Sequence, residues 1–232
     1  MASSLIHRLL GSPLLYLASQ FFMGAMRARR ICVKDYVRPV TGQRVLDIGC
    51  GPGYAVAYFP KVDYRGYDTD AGYIRYANER YGDRGRFHCG ILTAAEAAAL
   101  GPFDVVTLMG VLHHLDDATV LATLRLARGA LKPDGRLVAL EGCYVPGQSP
   151  IAKWMLDNDR GEYVRDEAGY RNLAEQVFED VSIDIRHDLF FIPYTKAVIS
   201  MSAAIPVSNV ASGRPIPEHV TGTPAGGSAP AG

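Results

Sequence analysis

Between residues 44 and 142, apolar runs of strand length alternate with stretches of helical period. RVLDIG (44–49) is apolar on successive positions, with one acid inside it. That pattern belongs to a strand buried on both faces. YAVAYF (54–59) predicts a short helix, and VDYRGYD (62–68) a second strand. DAGYIRYANERY (70–81) predicts a helix that places Tyr73, Ala77 and Tyr81 on one side, with Asp70 as its cap. RGRFHC (84–89) is a short third strand; FDVVTLMG (103–110) is strongly apolar and therefore central. DDATVLATLRLARGALK (116–132) is the clearest helix, capped by Asp116 or Asp117, with Val120, Leu121, Leu124, Ala127 and Leu131 along one face. Pro133-Asp134-Gly135 turns the chain into RLVALEG (136–142), a fifth strand. Strands alternating with helices make an α/β domain, a Rossmann-like doubly wound sheet with helices on both faces.

The alternation stops after residue 142. Residues 144–178 read as an irregular loop with two helices. VSIDIRHDL (181–189) and YTKAVISMSA (194–204) are two strands whose short connection at Phe191-Ile192-Pro193 allows only an antiparallel pair. From Pro206 onward five prolines and five glycines fall in 27 residues without an aromatic, the composition of a disordered tail. At the other end, residues 9–26 carry no charge and are followed by RARR. Gly11, Ser12, Pro13, Ser19, Gln20 and Gly24 weigh against a membrane span, and no signal-peptide cleavage pattern follows. The expected organisation is a helical lid over 1–40, a ligand-binding domain over 41–204 with an acceptor-covering insertion at 144–178, and a tail over 205–232. Membrane contact through residues 9–30 is the less favoured alternative to the lid.

Charge and cysteine content narrow the partners. The 24 basic residues are balanced by 24 acidic ones, so the chain lacks the basic excess of a nucleic-acid binder. Cys32, Cys50, Cys89 and Cys143 show no zinc-ligand spacing and no CxxC, so free thiols, no metal and a cytoplasmic location are expected.

The chemistry concentrates at "DIGCGPGY", residues 47–54. Gly49, Gly51 and Gly53 follow directly on the first strand, at the end where parallel sheets bind ligands. Their spacing is GxGxG, not the GxGxxG of dinucleotide enzymes, and no Lys-Ser/Thr pair follows to make a P-loop. Asp68 ends the second strand 21 residues after Asp47, where a carboxylate accepts two hydrogen bonds from ribose hydroxyls. Asp47 sits in an apolar strand and must find partners; loop N–H groups and a ligand ammonium are the candidates.

These stretches, together with YRGYDTD, FDVVTLMGVLHHLDD and LARGALKPDGRLVALEG, resemble the class I S-adenosylmethionine-dependent methyltransferases, and within them the small-molecule branch of the ubiquinone/menaquinone-biosynthesis type. The resemblance implies a seven-stranded sheet, mostly parallel with an antiparallel last strand. It implies S-adenosyl-L-methionine as cofactor, contacted by Asp47, Gly49, Cys50, Gly51, Gly53, Tyr54, Asp68, Thr69, Ile91, Leu92, Met109 and Gly110. The sequence departs from the family at Ile91, which stands where many members carry an acid for the adenine amino group. Adenine is then expected on the backbone of Ile91 or Leu92, stacked on Thr69 and Leu92. His113 and His114 end the fourth strand, where a histidine is either a general base or a loop residue packed beside the cofactor. Tyr144, Arg160, Tyr163 and Tyr194 are the acceptor-binding candidates. The expected activity is methyl transfer by in-line displacement to a small-molecule or lipid-like acceptor, the alternative being a non-catalytic S-adenosylmethionine-binding module or subunit.

Overall fold

The computed structural model describes residues 24–159 and 161–202. Eight strands form one sheet: β1 (Arg44–Ile48), β2 (Asp63–Asp68), β3 (Arg86–Cys89), β4 (Phe103–Met109), β5 (Leu131–Tyr144), β6 (Arg165–Asp166), β7 (Asp180–Arg186) and β8 (Lys196–Ser202). Their order is β3-β2-β1-β4-β5-β8-β7, with the two-residue β6 paired to the far end of β5. The first five strands are parallel; β8 runs antiparallel to both β5 and β7. This is the expected architecture with one short strand added.

The chain leaves β1 toward β2 and β3, then returns to place β4 on the other side of β1. The loops after β1 and β4 therefore face each other across the switch point, where open α/β sheets bind ligands. They touch: a Cβ at Gly49 would stand 2.4 Å from Val111 Cγ2.

Helices flank both faces: α1 (Ala25–Ile31), α2 (Ala71–Tyr81), α3 (Ala94–Leu100), α4 (Asp117–Ala130), α5 (Pro150–Asp157) and α6 (Glu167–Ala174). Asp70 and Asp116 cap α2 and α4 by accepting from Tyr73 N and Thr119 N, each three residues on. Helix α3 has no counterpart in the expectations above, although Thr93-x-x-Glu96 closes a full capping box on it. The Pro133-Asp134-Gly135 turn is a slip in the β4–β5 ladder: Phe103 pairs Leu131, then Val105 pairs Arg136.

Residues 1–23 and 203–232, which hold most of the expected lid and the whole expected tail, lie outside the described residues. The described part of the lid region is core. Helix α1 continues as a π-helical segment over Cys32–Val37, and Ala28, Cys32, Val33 and Val37 pack under the sheet face with Val45, Val105, Val138 and Val198. Among the described residues no helix is long and apolar enough to cross a membrane.

Candidate active site

The glycine-rich turn is shaped by its backbone. Gly51 and Gly53 adopt φ of 54° and 75°, a region costly for any residue with a Cβ. They differ in their surroundings. A Cβ on Gly53 would meet Phe87 at 2.9 Å and Ala77 at 3.1 Å, whereas one on Gly51 would meet nothing within 4 Å. Gly53 is thus a packing requirement, and Gly51 presents bare backbone outward. Asp68 ties this turn to β2: Oδ2 accepts from Gly51 N at 2.8 Å and Oδ1 from Asp70 N at 2.9 Å. Each oxygen keeps a lone pair for a further donor. Thr69 beside it is exposed.

Asp47 lies beneath the turn rather than on it. It is 1% exposed, and its oxygens accept from the Tyr64 hydroxyl of β2 and from Thr107 Oγ1 of β4, the latter at 2.7 Å. The loop N–H partners expected for it go elsewhere: Gly49 N and Cys50 N both donate to Tyr67 O, and Gly51 N to Asp68. Burial pushes the Asp47 carboxyl up to about 6, although both hydroxyls pull it back. The residue pins three central strands together and projects negative charge to the turn above. Cys50 is buried and its thiol is pushed well above the ordinary range by that burial. Tyr54 is half-buried, edge-on to Tyr76 at 5.9 Å between ring centroids.

Past β3 the structure separates the two expected adenine neighbours. Leu92 is 4% exposed and packs in the core, so its side chain offers no stacking face; Ile91 is 79% exposed. Met109 is likewise buried, while Gly110 turns the chain at φ 82° with its N–H on Leu140 O.

The second half of the site is a buried polar cluster that the sequence did not announce. Glu141, 0% exposed inside β5, accepts from Val111 N and Leu112 N at 3.0 Å and pairs with His113 Nδ1 at 2.5 Å. The other ring nitrogen, Nε2, faces Asp159 Oδ1 at 3.5 Å. Asp159 also accepts from the Tyr194 hydroxyl, and Lys196 Nζ lies 4.6 Å from the Tyr194 ring centre. Burial disfavours the imidazolium, but hydrogen bonds to Asp159 and Glu141 prevail and raise His113 to about 9. Burial acts on Lys196 in the same direction and prevails there, lowering it. His113 is therefore a clamped cation at neutral pH, with no lone pair to take a proton. His114 is exposed, its ring 4.2 Å from that of His113.

The cluster fastens the insertion onto the sheet end. Tyr163 N donates to His113 O at 3.0 Å, and Arg165 donates to the carbonyls of Leu112 and Leu115 at 3.0 and 2.8 Å. Of the acceptor-binding candidates, Tyr194 is buried in the cluster and Tyr163 is part-exposed beside it. Tyr144 hydrogen-bonds Asp157 of α5 at 2.8 Å, and Arg160 lies outside the described residues. Glu141 and Lys196 were detectable in principle, as charged residues inside apolar strands that must find partners.

Comparison with known proteins shows what this stretch of the chain is similar to. Residues 46–137 match the family described as "Methyltransferase domain". That stretch is similar to a methyltransferase domain. It is 34% identical over 112 residues to an uncharacterized protein of Synechococcus sp., covering 45% of this chain and 23% of that one. It is 30% identical over 156 residues to phosphoethanolamine N-methyltransferase 1 of Triticum aestivum, covering 64% of this chain and 31% of the wheat protein. The chain thus spans about a quarter to a third of the length of these curated relatives. Among solved structures, the pyocyanin biosynthetic protein PhzM superimposes with a TM-score of 0.63 at 16% identity, over 86% of this chain and 61% of that one. The last likeness is one of fold.

S-adenosylmethionine is the cofactor of such a methyltransferase domain, and the residues present fit it. The open space over Gly51 admits a ligand to bare backbone, Asp68 retains acceptor capacity for the ribose hydroxyls, and Ile91 supplies an apolar surface past β3. Among the described residues no group of side chains is arranged to hold a metal ion.

Proposed function

We propose that this methyltransferase domain transfers a methyl group to a small-molecule acceptor. When bound, the sulfonium cofactor supplies an activated methyl group open to in-line displacement. The protein's own task is then to hold, align and exclude water, and positioning of this kind is worth about 7–11 kcal/mol. In this reading Gly49, Gly51 and Gly53 shape the turn, Asp68 holds the sugar, and Thr69 and Ile91 flank the base. Asp47, Cys50 and Met109 support the turn from below. Tyr144 and Tyr163 stand on the acceptor side, with His114 exposed beside His113.

The observation that carries the small-molecule reading is the fastening of the insertion. Tyr163 and Arg165 bind the insertion directly to the loop after β4, which supports an acceptor side covered by the insertion and sized for a small molecule. The balanced charge of the chain agrees with this, as does the wheat relative, whose name specifies phosphoethanolamine, a small acceptor. Four free cysteines, three of them buried, fit a cytoplasmic location.

The test is transfer of tritiated methyl from S-adenosylmethionine to a panel of small amines, phenols and enols, paired with calorimetric binding of S-adenosylhomocysteine. Turnover of at least one acceptor class is expected. Tight binding with no turnover across the panel would favour the non-catalytic module.

A further inference from the structure

Helix α1 descends the sheet face from the ligand end. Its start at Gly24 abuts Phe191 in the β7–β8 connection, and it packs along the Tyr54–Tyr58 helical turn that follows the glycine-rich turn. The π-helical segment then runs away from the site, so that Arg136 at the opposite end of β5 donates to Val37 O. Ala25, Ala28 and Cys32 are buried along the inner side of this helix. Arg29 follows Ala25 by four residues and precedes Cys32 by three, so it shares that inner side at the level of the site.

Arg29 is half-buried, and it donates to a carbonyl, Ala25 O, at a long 3.4 Å. No carboxylate among the described residues forms an ion pair with it, whereas Arg44, Arg65, Arg165, Arg171 and Arg186 each have one. Its charge is felt at Asp47 under the turn, at Tyr54 just after it, and at Lys196 on the acceptor side. A guanidinium drawn partly out of water without an anion is costly unless a ligand supplies one. The site thus presents two separated opposite charges, the Asp47 carboxylate below the turn and the Arg29 guanidinium beside it. An α-amino-acid group, with its ammonium and carboxylate, is the complement of that pair.

We propose that Arg29 binds the carboxylate of the cofactor's amino-acid end and so fixes that end over the glycine-rich turn. This rests on S-adenosylmethionine being the ligand of the turn. A charge-assisted guanidinium–carboxylate contact places the expected effect at about tenfold or more in affinity.

The experiment is calorimetry on the full chain with two ligands: S-adenosylhomocysteine, and its decarboxylated analogue, which keeps the amine and the nucleoside. Arg29→Gln is expected to weaken the first by about tenfold or more and to leave the second unchanged, and Arg29→Lys is expected to fall between. Equal weakening of both ligands would overturn the proposal, since a merely structural Arg29 does not sense the carboxylate. Unchanged S-adenosylhomocysteine affinity in Arg29→Gln would overturn it as well. Wild-type protein that binds neither ligand would instead sink the cofactor reading on which the proposal stands. Melting curves of the variants accompany the titrations, and the decarboxylated analogue serves as the internal control for folding.

Discussion

Glu141→Gln is the perturbation that probes the buried cluster most sharply. The side chain is fully buried and takes three donors: two backbone N–H groups and the His113 ring. Glutamine keeps the shape and one carbonyl oxygen, but removes the charge that holds the imidazolium. Breaking a buried pair by neutralising one partner costs about 3–5 kcal/mol. The titration of His113 gives the same sign. His113 is raised from 6.5 to about 9 against the pull of burial by hydrogen bonds to Asp159 and Glu141, so the variant loses one of the two carboxylates that hold the cation. A folded value above the unfolded one stabilises fully below pH 6.5, and that contribution is lost as pH rises through about 9. Asp47 is raised from 3.8 to about 6, so it acts at lower pH, while Lys196, lowered by burial, contributes the opposite slope above its folded value in wild type and variant alike. Urea unfolding at pH 7 is expected to show Glu141→Gln less stable by about 3–5 kcal/mol, and the melting temperature lower by about 6–20 °C. The wild type is expected to lose stability from pH 6.5 to 8.5, and the variant to lose less. A cost below about 1 kcal/mol, or wild-type and variant profiles of equal slope across that window, would refute the assignment of His113 as a clamped cation.

Three further outcomes follow from the same coordinates. Gly161→Ala places a Cβ 2.1 Å from His113 Cδ2, so hydrogen exchange in residues 159–165 should rise well above wild type; unchanged protection would contradict the fastening. Gly53→Ala meets Phe87 and Ala77 at a φ of 75° and should cost about 2–4 kcal/mol in urea. Gly51→Ala, with open space around it, should cost only about 1–2 kcal/mol of strain but lower S-adenosylhomocysteine affinity more than Gly53→Ala does; the reverse order in calorimetry would count against the turn as the ligand face.

Much of the fold was legible because it rests on local pattern. Apolar runs marked β1, β4 and β5 as buried strands, and Asp70 and Asp116 cap helices where short acids precede a helical period. Helix α3 went unread: Thr93 and Glu96 close its capping box, but its alanine-rich stretch carries little amphipathic signal. The glycine-rich turn and Asp68 were readable because a bare backbone at a strand end has few other uses. The cluster was not. Glu141 and His113 are 28 residues apart, and Asp159 and Tyr194 are 35 apart. Only the sheet order, which sets β5 between β4 and β8, brings them together. Asp47 shows the same limit: its need for partners was clear from burial, but Tyr64 and Thr107 come from strands on either side of it. Nor does the sequence say which of the arginines in RARR lies inward; the burial of Ala25, Ala28 and Cys32 decides that.

The central claim is that a sulfonium nucleoside rests on the turn at Gly51 with its sugar held by Asp68. Calorimetric titration of S-adenosylhomocysteine into wild-type protein and Asp68→Ala addresses it directly. The account predicts saturable wild-type binding and a loss of about tenfold or more in the variant, as removal of a charged hydrogen-bond acceptor requires. Equal affinity in the two proteins would contradict it.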